Sequence, residues 1–148
     1  MIREVLFMFA YVWPIALAVL SNVAYHVCTR SVPEGTDPFA SLTVTYLIAA
    51  AASGLIDFFL GGRSLLQEYH KLNWAPFALG IVIVGLEAGF IFAYRAGWQI
   101  STASVVQGAV LAVALLFVGA LFYRETLTWN KLIGAAICMI GLVFINYR

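Results

Sequence analysis

The sequence predicts an all-α integral membrane protein with five transmembrane helices. Three observations carry that expectation. The 148-residue chain is 64% hydrophobic and 10% charged, with a mean hydropathy of +0.97, whereas a soluble domain is about half apolar and a quarter charged. The apolar residues fall into five long runs, and a spanning helix needs about 20 such residues. The charged residues lie mostly in short clusters between the runs.

The first run, residues 5–29, is too long for the apolar region of a signal peptide and lacks a clear small-x-small exit site, so it is expected to remain as a membrane helix. Residues 31–38 follow as a turn, marked by Pro33, Gly35 and Pro38. The second run, 39–60, is stopped by Gly61, Gly62, Arg63 and Ser64. Residues 65–73 are expected as a short interfacial segment, with Tyr69 and Trp74 at headgroup level. The third run is 75–98, and a tight link at 97–100 leads into the fourth, 101–123. Residues 124–129 join it to the last, 131–147, with Thr128 as the candidate cap. There is no internal repeat and no room for a soluble domain, so one five-helix domain is expected over residues 1–148. Five such helices bury little by themselves, which points to an oligomer.

Composition also excludes. A net charge of +1 supplies no basic stripe, so nucleic acid is not an expected partner. The abundant aromatics (11 Phe, 7 Tyr, 4 Trp) suit lipid-facing and interfacial surface. Cys28 and Cys138 form no CxxC and no ligand set with His26 or His70; they are expected as small buried thiols, with no metal or cofactor. No nucleophile–base pair or phosphate loop stands out, so an enzyme is not expected.

The basic residues bear on orientation. Arg3, Arg63, Lys71, Arg124 and Lys131 fall on one side of the membrane, and Arg30, Arg95 and Arg148 on the other. That weak bias favours the N-terminus inside. It leaves a fixed topology and a dual one, with chains inserted both ways, open.

One residue stands out at depth. Glu87 sits in the middle of the third run, and an acid at the bilayer centre costs several kcal/mol by insertion scales, so it marks a functional site by default. Successive helical residues turn by about 100°, which places Glu87, Tyr94 and Trp98 within about 40° of one another. The opposite side carries Gly85, Gly89, Ala93 and Ala96, a stripe that lets another helix approach, most simply within the chain. Arg95 is about 80° from Glu87 on the wheel and does not pair with it along the helix. Desolvation penalises a charged carboxylate. Such a group can hold a proton in an empty site and release it to an arriving cation, with Tyr94 and Trp98 adding cation–π contacts.

Helix one offers a second polar face of Asn22, Tyr25, His26 and Thr29, which must meet protein or water. It can line a cavity or act as interhelical glue. In helix two Tyr46, Ser53 and Asp57 share a face, and Asp57 is expected near the interface or paired with Arg63. Ser101, Ser104, Gly108 and Ala112 form a packing stripe in helix four. Gly134 and Gly141 do so in the last helix, within or between subunits.

The closing stretch Gly119-Ala-Leu-Phe-Tyr-Arg-Glu-Thr-Leu-Thr-Trp-Asn-Lys, followed by the Gly134-x6-Gly141 helix, resembles the end of an EamA-type domain of the drug/metabolite transporter (DMT) superfamily. Glu125, Gly134 and Gly141 stand at the positions of that pattern, and the five-helix length matches one such domain. The resemblance implies half of a ten-helix, inverted-repeat transporter, completed by an antiparallel homodimer of dual topology. Small multidrug-resistance relatives use a membrane-embedded Glu in their first helix. Helix one here has no buried acid, so that role is not carried over, and Glu87 rests on its own depth. The Gly134/Gly141 pair is similar to those relatives' dimer-packing glycines.

The expectation is therefore a multi-pass inner-membrane transporter of a small organic molecule, plausibly cationic, working by alternating access. Glu87 would bind substrate or proton, and Tyr94, Trp98, Asn22, His26 and Tyr25 would line the site. Two rivals stand beside it. Flipping of a lipid phosphate would need basic residues in the cavity, for which only Arg95 offers itself. A non-transporting subunit would hold a partner by the small-residue faces, with Glu87 paired to the partner's base.

Overall fold

In the computed structural model, residues 2–60 and 70–146 are described. They form five helices: α1 Ile2–Arg30, α2 Pro38–Leu60, α3 Ala75–Arg95, α4 Ile100–Phe122 and α5 Trp129–Asn146. The stop at 61–64, the interfacial segment with Tyr69, the side chain of Arg3, the Asp57 partner Arg63, and Arg148 lie outside the described residues or side chains. Four helices carry spans long and apolar enough to cross a membrane: Phe9–Arg30 within α1, then α2, α3 and α4. The fifth is shorter; its apolar part is Trp129–Ile145.

Local chemistry sets the boundaries. Ser31 closes α1 by donating its amide and its hydroxyl to the Val27 carbonyl. Asp37 opens α2: its carboxylate accepts from the Ala40 amide at 2.8 Å, and Pro38 occupies the first turn, where no amide is missed. The Asn73 side chain accepts from the Ala75 amide at 3.0 Å where α3 begins. The expected end of this helix at Trp98 is not what folds. Helix α3 ends at Arg95, and Gly97 follows with φ +95°, a conformation that glycine adopts without strain. Thr128 stands at the start of α5, its carbonyl accepting from the Lys131 and Leu132 amides.

The chain falls into two compact units, Met1–Ala96 and Gly97–Arg148. In the first, α1 and α2 each pack against α3. Its apolar core joins Leu42 of α2 to Ala88 and Ile91 of α3, with Tyr46 and Val84 against them. In the second, α4 and α5 pack on each other, and Ala103, Gly119 and Leu142 are buried. The connection 123–128 turns sharply there. The Tyr123 and Glu125 amides both donate to the Gly119 carbonyl, and Arg124 between them takes φ 54°. The Glu125 carboxylate then folds back over Gly119, where a Cβ would sit 3.0 Å from its Oε2, and Lys131 lies 3.8 Å from the same oxygen. Gly119 leaves the room that this hook occupies.

Two expectations change. Cys28 and Cys138 are free thiols, but exposed rather than buried, because most residues of these slender helices face outward. A Cβ built on Gly85, Gly89, Gly134 or Gly141 would meet nothing within 4 Å among the described residues. Within the first unit, the described residues make no close approach at Gly85 or Gly89.

Backbone strain at the two positive-φ positions is open to test. Gly97→Ala is expected to destabilise the detergent-purified protein by about 1 kcal/mol and Arg124→Gly to stabilise it by a similar amount. Thermal unfolding followed by circular dichroism measures both, and shifts of the opposite sign would contradict these backbone assignments.

Candidate functional site

Helix α3 builds the site because both other helices of its unit pack on it. Its residues Glu87, Phe90, Ile91 and Tyr94 recur at helical spacing and so present one side to α1 and α2. Tyr94 is 2% exposed and His26 8% exposed. The Tyr94 hydroxyl and His26 Nδ1 share a hydrogen bond of 2.7 Å. Around that bond the rings interlock edge to face: His26 to Phe90 at 4.8 Å, His26 to Tyr25 at 5.2 Å and Tyr25 to Phe90 at 5.9 Å between centroids. Such contacts add about 0.5–1.5 kcal/mol per pair beyond the area they bury.

Two arginines brace the same end of the unit. Arg30 donates through Nη1 to the Tyr94 carbonyl at 2.7 Å, placing a cation at the negative end of the α3 dipole. Arg95 donates through Nη2 to the Thr36 carbonyl and, at 3.2 Å, to that of Pro33. The connection between α1 and α2 is thereby tied to the end of α3. Both guanidiniums lie at one end of the unit.

Between the three helices lies a cavity of about 120 Å³. Glu87 lines it from α3, Tyr25 and Thr29 from α1, and Ser41 and Thr45 from α2. Leu42, Ile91 and Val32 supply apolar wall, and Cys28 borders it. The hydroxyls are not equivalent. Thr45 donates back to the Ser41 carbonyl at 3.1 Å, so its oxygen offers only lone pairs to the cavity. The Tyr25 hydroxyl is buried beside the Thr29 side chain but has no partner in hydrogen-bond geometry, and the buried Tyr46 hydroxyl has none either. Both tyrosines lie within electrostatic reach of Glu87.

Of the residues expected from the sequence, Glu87 and Tyr25 line this cavity. His26 and Tyr94 stand beside it as a bonded pair, through the aromatic ring of Tyr25. Asn22 is exposed on α1. Trp98 is 43% exposed and belongs to the second unit; the expected face shared with Glu87 assumed a helix that continues past Gly97. Asp57 is half-buried near the far end of α2. Cavity residues not singled out beforehand are Ser41, Thr45, Cys28 and Val32. Ser41 and Thr45 did carry a signal, two hydroxyls one helical turn apart, but that spacing is common in membrane helices.

The fold and the site define a class: a multi-pass membrane protein of apolar helices with an acid-lined cavity. The EamA-like transporter family matches residues 8–147, and the chain belongs to that family of membrane transporters. No curated protein and no solved structure gives a significant match.

The His26–Tyr94 bond is expected to hold α1 on α3. Tyr94→Phe should cost about 1 kcal/mol of stability in detergent, within the range measured for interhelical hydrogen bonds in membranes. In a double-mutant cycle the loss should not add to that of His26→Ala. Fully additive losses would show that the bond contributes nothing.

Proposed function

We propose that this chain transports a small organic cation across an inner membrane by alternating access, as an antiparallel homodimer, with Glu87 alternately holding the substrate and a proton. The observation that carries this reading is the Glu87 carboxylate lining a cavity between three helices of a transporter-family chain. An acid at this depth that served packing alone would be expected to meet a basic partner. Among the described residues none of the cavity wall is basic, and both nearby arginines are engaged with backbone carbonyls. The same absence of cavity cations disfavours a phosphate-bearing substrate.

The dimer draws support from the surface. Long apolar side chains are exposed along every helix, and among the described residues of each glycine's own unit nothing lies within 4 Å of a Cβ built on Gly85, Gly89, Gly134 or Gly141. Lipid covers part of such a surface, and the glycine stripes favour a second copy over lipid because backbones can approach closely there. Helix α5, with 18 residues, serves as the fifth span near the lower limit of length.

Liposomes containing only the purified protein test the function. A proton gradient is expected to drive uptake of small cations, and Glu87→Gln to bring uptake to background. Undiminished uptake in that variant would remove Glu87 from the mechanism. Failure of every compound in a broad screen would favour the subunit reading. For the dimer, a single cysteine placed beside Arg148 is expected to label from both sides of the membrane; labelling from one side alone would contradict dual insertion.

A further inference from the structure

The cavity presents a carboxylate and a set of hydroxyls whose oxygens can accept hydrogen bonds. Glu87 brings a carboxylate, Thr45 an oxygen whose proton is already committed, and Tyr25 a buried hydroxyl without a partner. The Tyr46 hydroxyl is also buried and unpartnered, but Tyr46 packs behind Leu42 and Ile91 and does not line the cavity. Burying an unpaired polar group costs roughly 1–3 kcal/mol, so such groups call for a partner. A primary ammonium is the complement: three N–H donors, no acceptor and one positive charge.

Size and wall narrow the choice. About 120 Å³ is less than the roughly 150 Å³ of an engineered cavity that takes benzene. It exceeds what a bare monovalent metal ion needs, and Leu42, Ile91 and Val32 would leave such an ion without ligands on that side. The wall suits a short alkyl chain instead. A quaternary ammonium is a poor fit. It brings no N–H for the waiting oxygens, and it is recognised by aromatic cages, whereas one aromatic residue, Tyr25, lines this cavity.

Resting on the reading of Glu87 as the binding residue, we infer that the ligand of this cavity is a small protonated primary amine, its ammonium held by Glu87 and Tyr25 and its short alkyl chain against Leu42 and Ile91. A site built on hydrogen bonds rejects an analogue that cannot make them, because its own buried groups are then left unpaired. Selectivity for primary over quaternary ammonium follows from the Tyr25 hydroxyl, and affinity for either cation follows from Glu87.

Binding tests this independently of transport. Radiolabelled ethylammonium is equilibrated with the full-length protein in detergent and competed with tetramethylammonium and with Na⁺. Ethylammonium is expected to bind, with either competitor at least about tenfold weaker. Tyr25→Phe should weaken ethylammonium about tenfold and leave tetramethylammonium unchanged. Because this variant can misfold, the competition order in the unaltered protein stands as its own test. So does Cys28, which borders the cavity: in a Cys138→Ala background ethylammonium should slow its alkylation and tetramethylammonium should not. Tetramethylammonium or Na⁺ competing as well as ethylammonium would overturn the inference while leaving Glu87-dependent transport standing. No cation binding at all, together with undiminished transport by Glu87→Gln, would overturn both.

Discussion

A polar group in the hydrocarbon core of a bilayer has to find its partner inside the protein or in water that the protein admits. In the first unit this constraint is met most completely at one contact, where His26 of α1 and Tyr94 of α3 bury a shared hydrogen bond among three aromatic rings. Much else there depends on it. The bond fixes the rotation of α1 against α3, and that rotation turns Tyr25 and Thr29 toward the side where Glu87 stands. The same constraint governs the arginines. Arg30 donates to the Tyr94 carbonyl and Arg95 to those of Pro33 and Thr36, the Arg95 Nε is left without a partner, and among the described residues no basic side chain lines the cavity that Glu87 borders.

The contrast between satisfied and unsatisfied groups gives the cavity its character. His26 and Tyr94 are paired; Tyr25 and Tyr46 are not. Packing alone favours pairing every buried hydroxyl, so two open ones near a half-buried acid support the proposal of a binding site here. The second unit shows the opposite arrangement. There the Glu125 carboxylate folds back over Gly119 and toward Lys131, and its polar chemistry closes a turn instead of opening a site.

The amino-acid pattern made some of this legible. Glu87 is conspicuous because a charge inside an apolar run is costly to insert into a bilayer, and His26 with Tyr25 stands out as a polar pair on a helix face. Helix positions follow from hydropathy and turn residues to within a few positions. Two things were not legible. The helical wheel places Trp98 beside Glu87 because periodicity continues through Gly97, and only the backbone reveals the positive φ that ends the helix. The pairing of Tyr94 with His26 leaves Tyr94 outside the cavity lining, since one sequence shows which face a residue occupies but not which neighbour it meets. Ser41 and Thr45 stayed hidden because hydroxyls one turn apart are frequent in membrane helices, where many bond back to their own helix as Thr45 does.

The most direct test of whether Glu87 is the binding residue is its own chemical reactivity. A hydrophobic carbodiimide modifies protonated carboxyls in apolar surroundings, and mass spectrometry of the digested protein locates the adduct. The adduct is expected at Glu87, and a bound cation should slow its formation in proportion to occupancy. Modification of Glu87 at one unchanging rate, whether or not a cation is bound, would contradict the assignment.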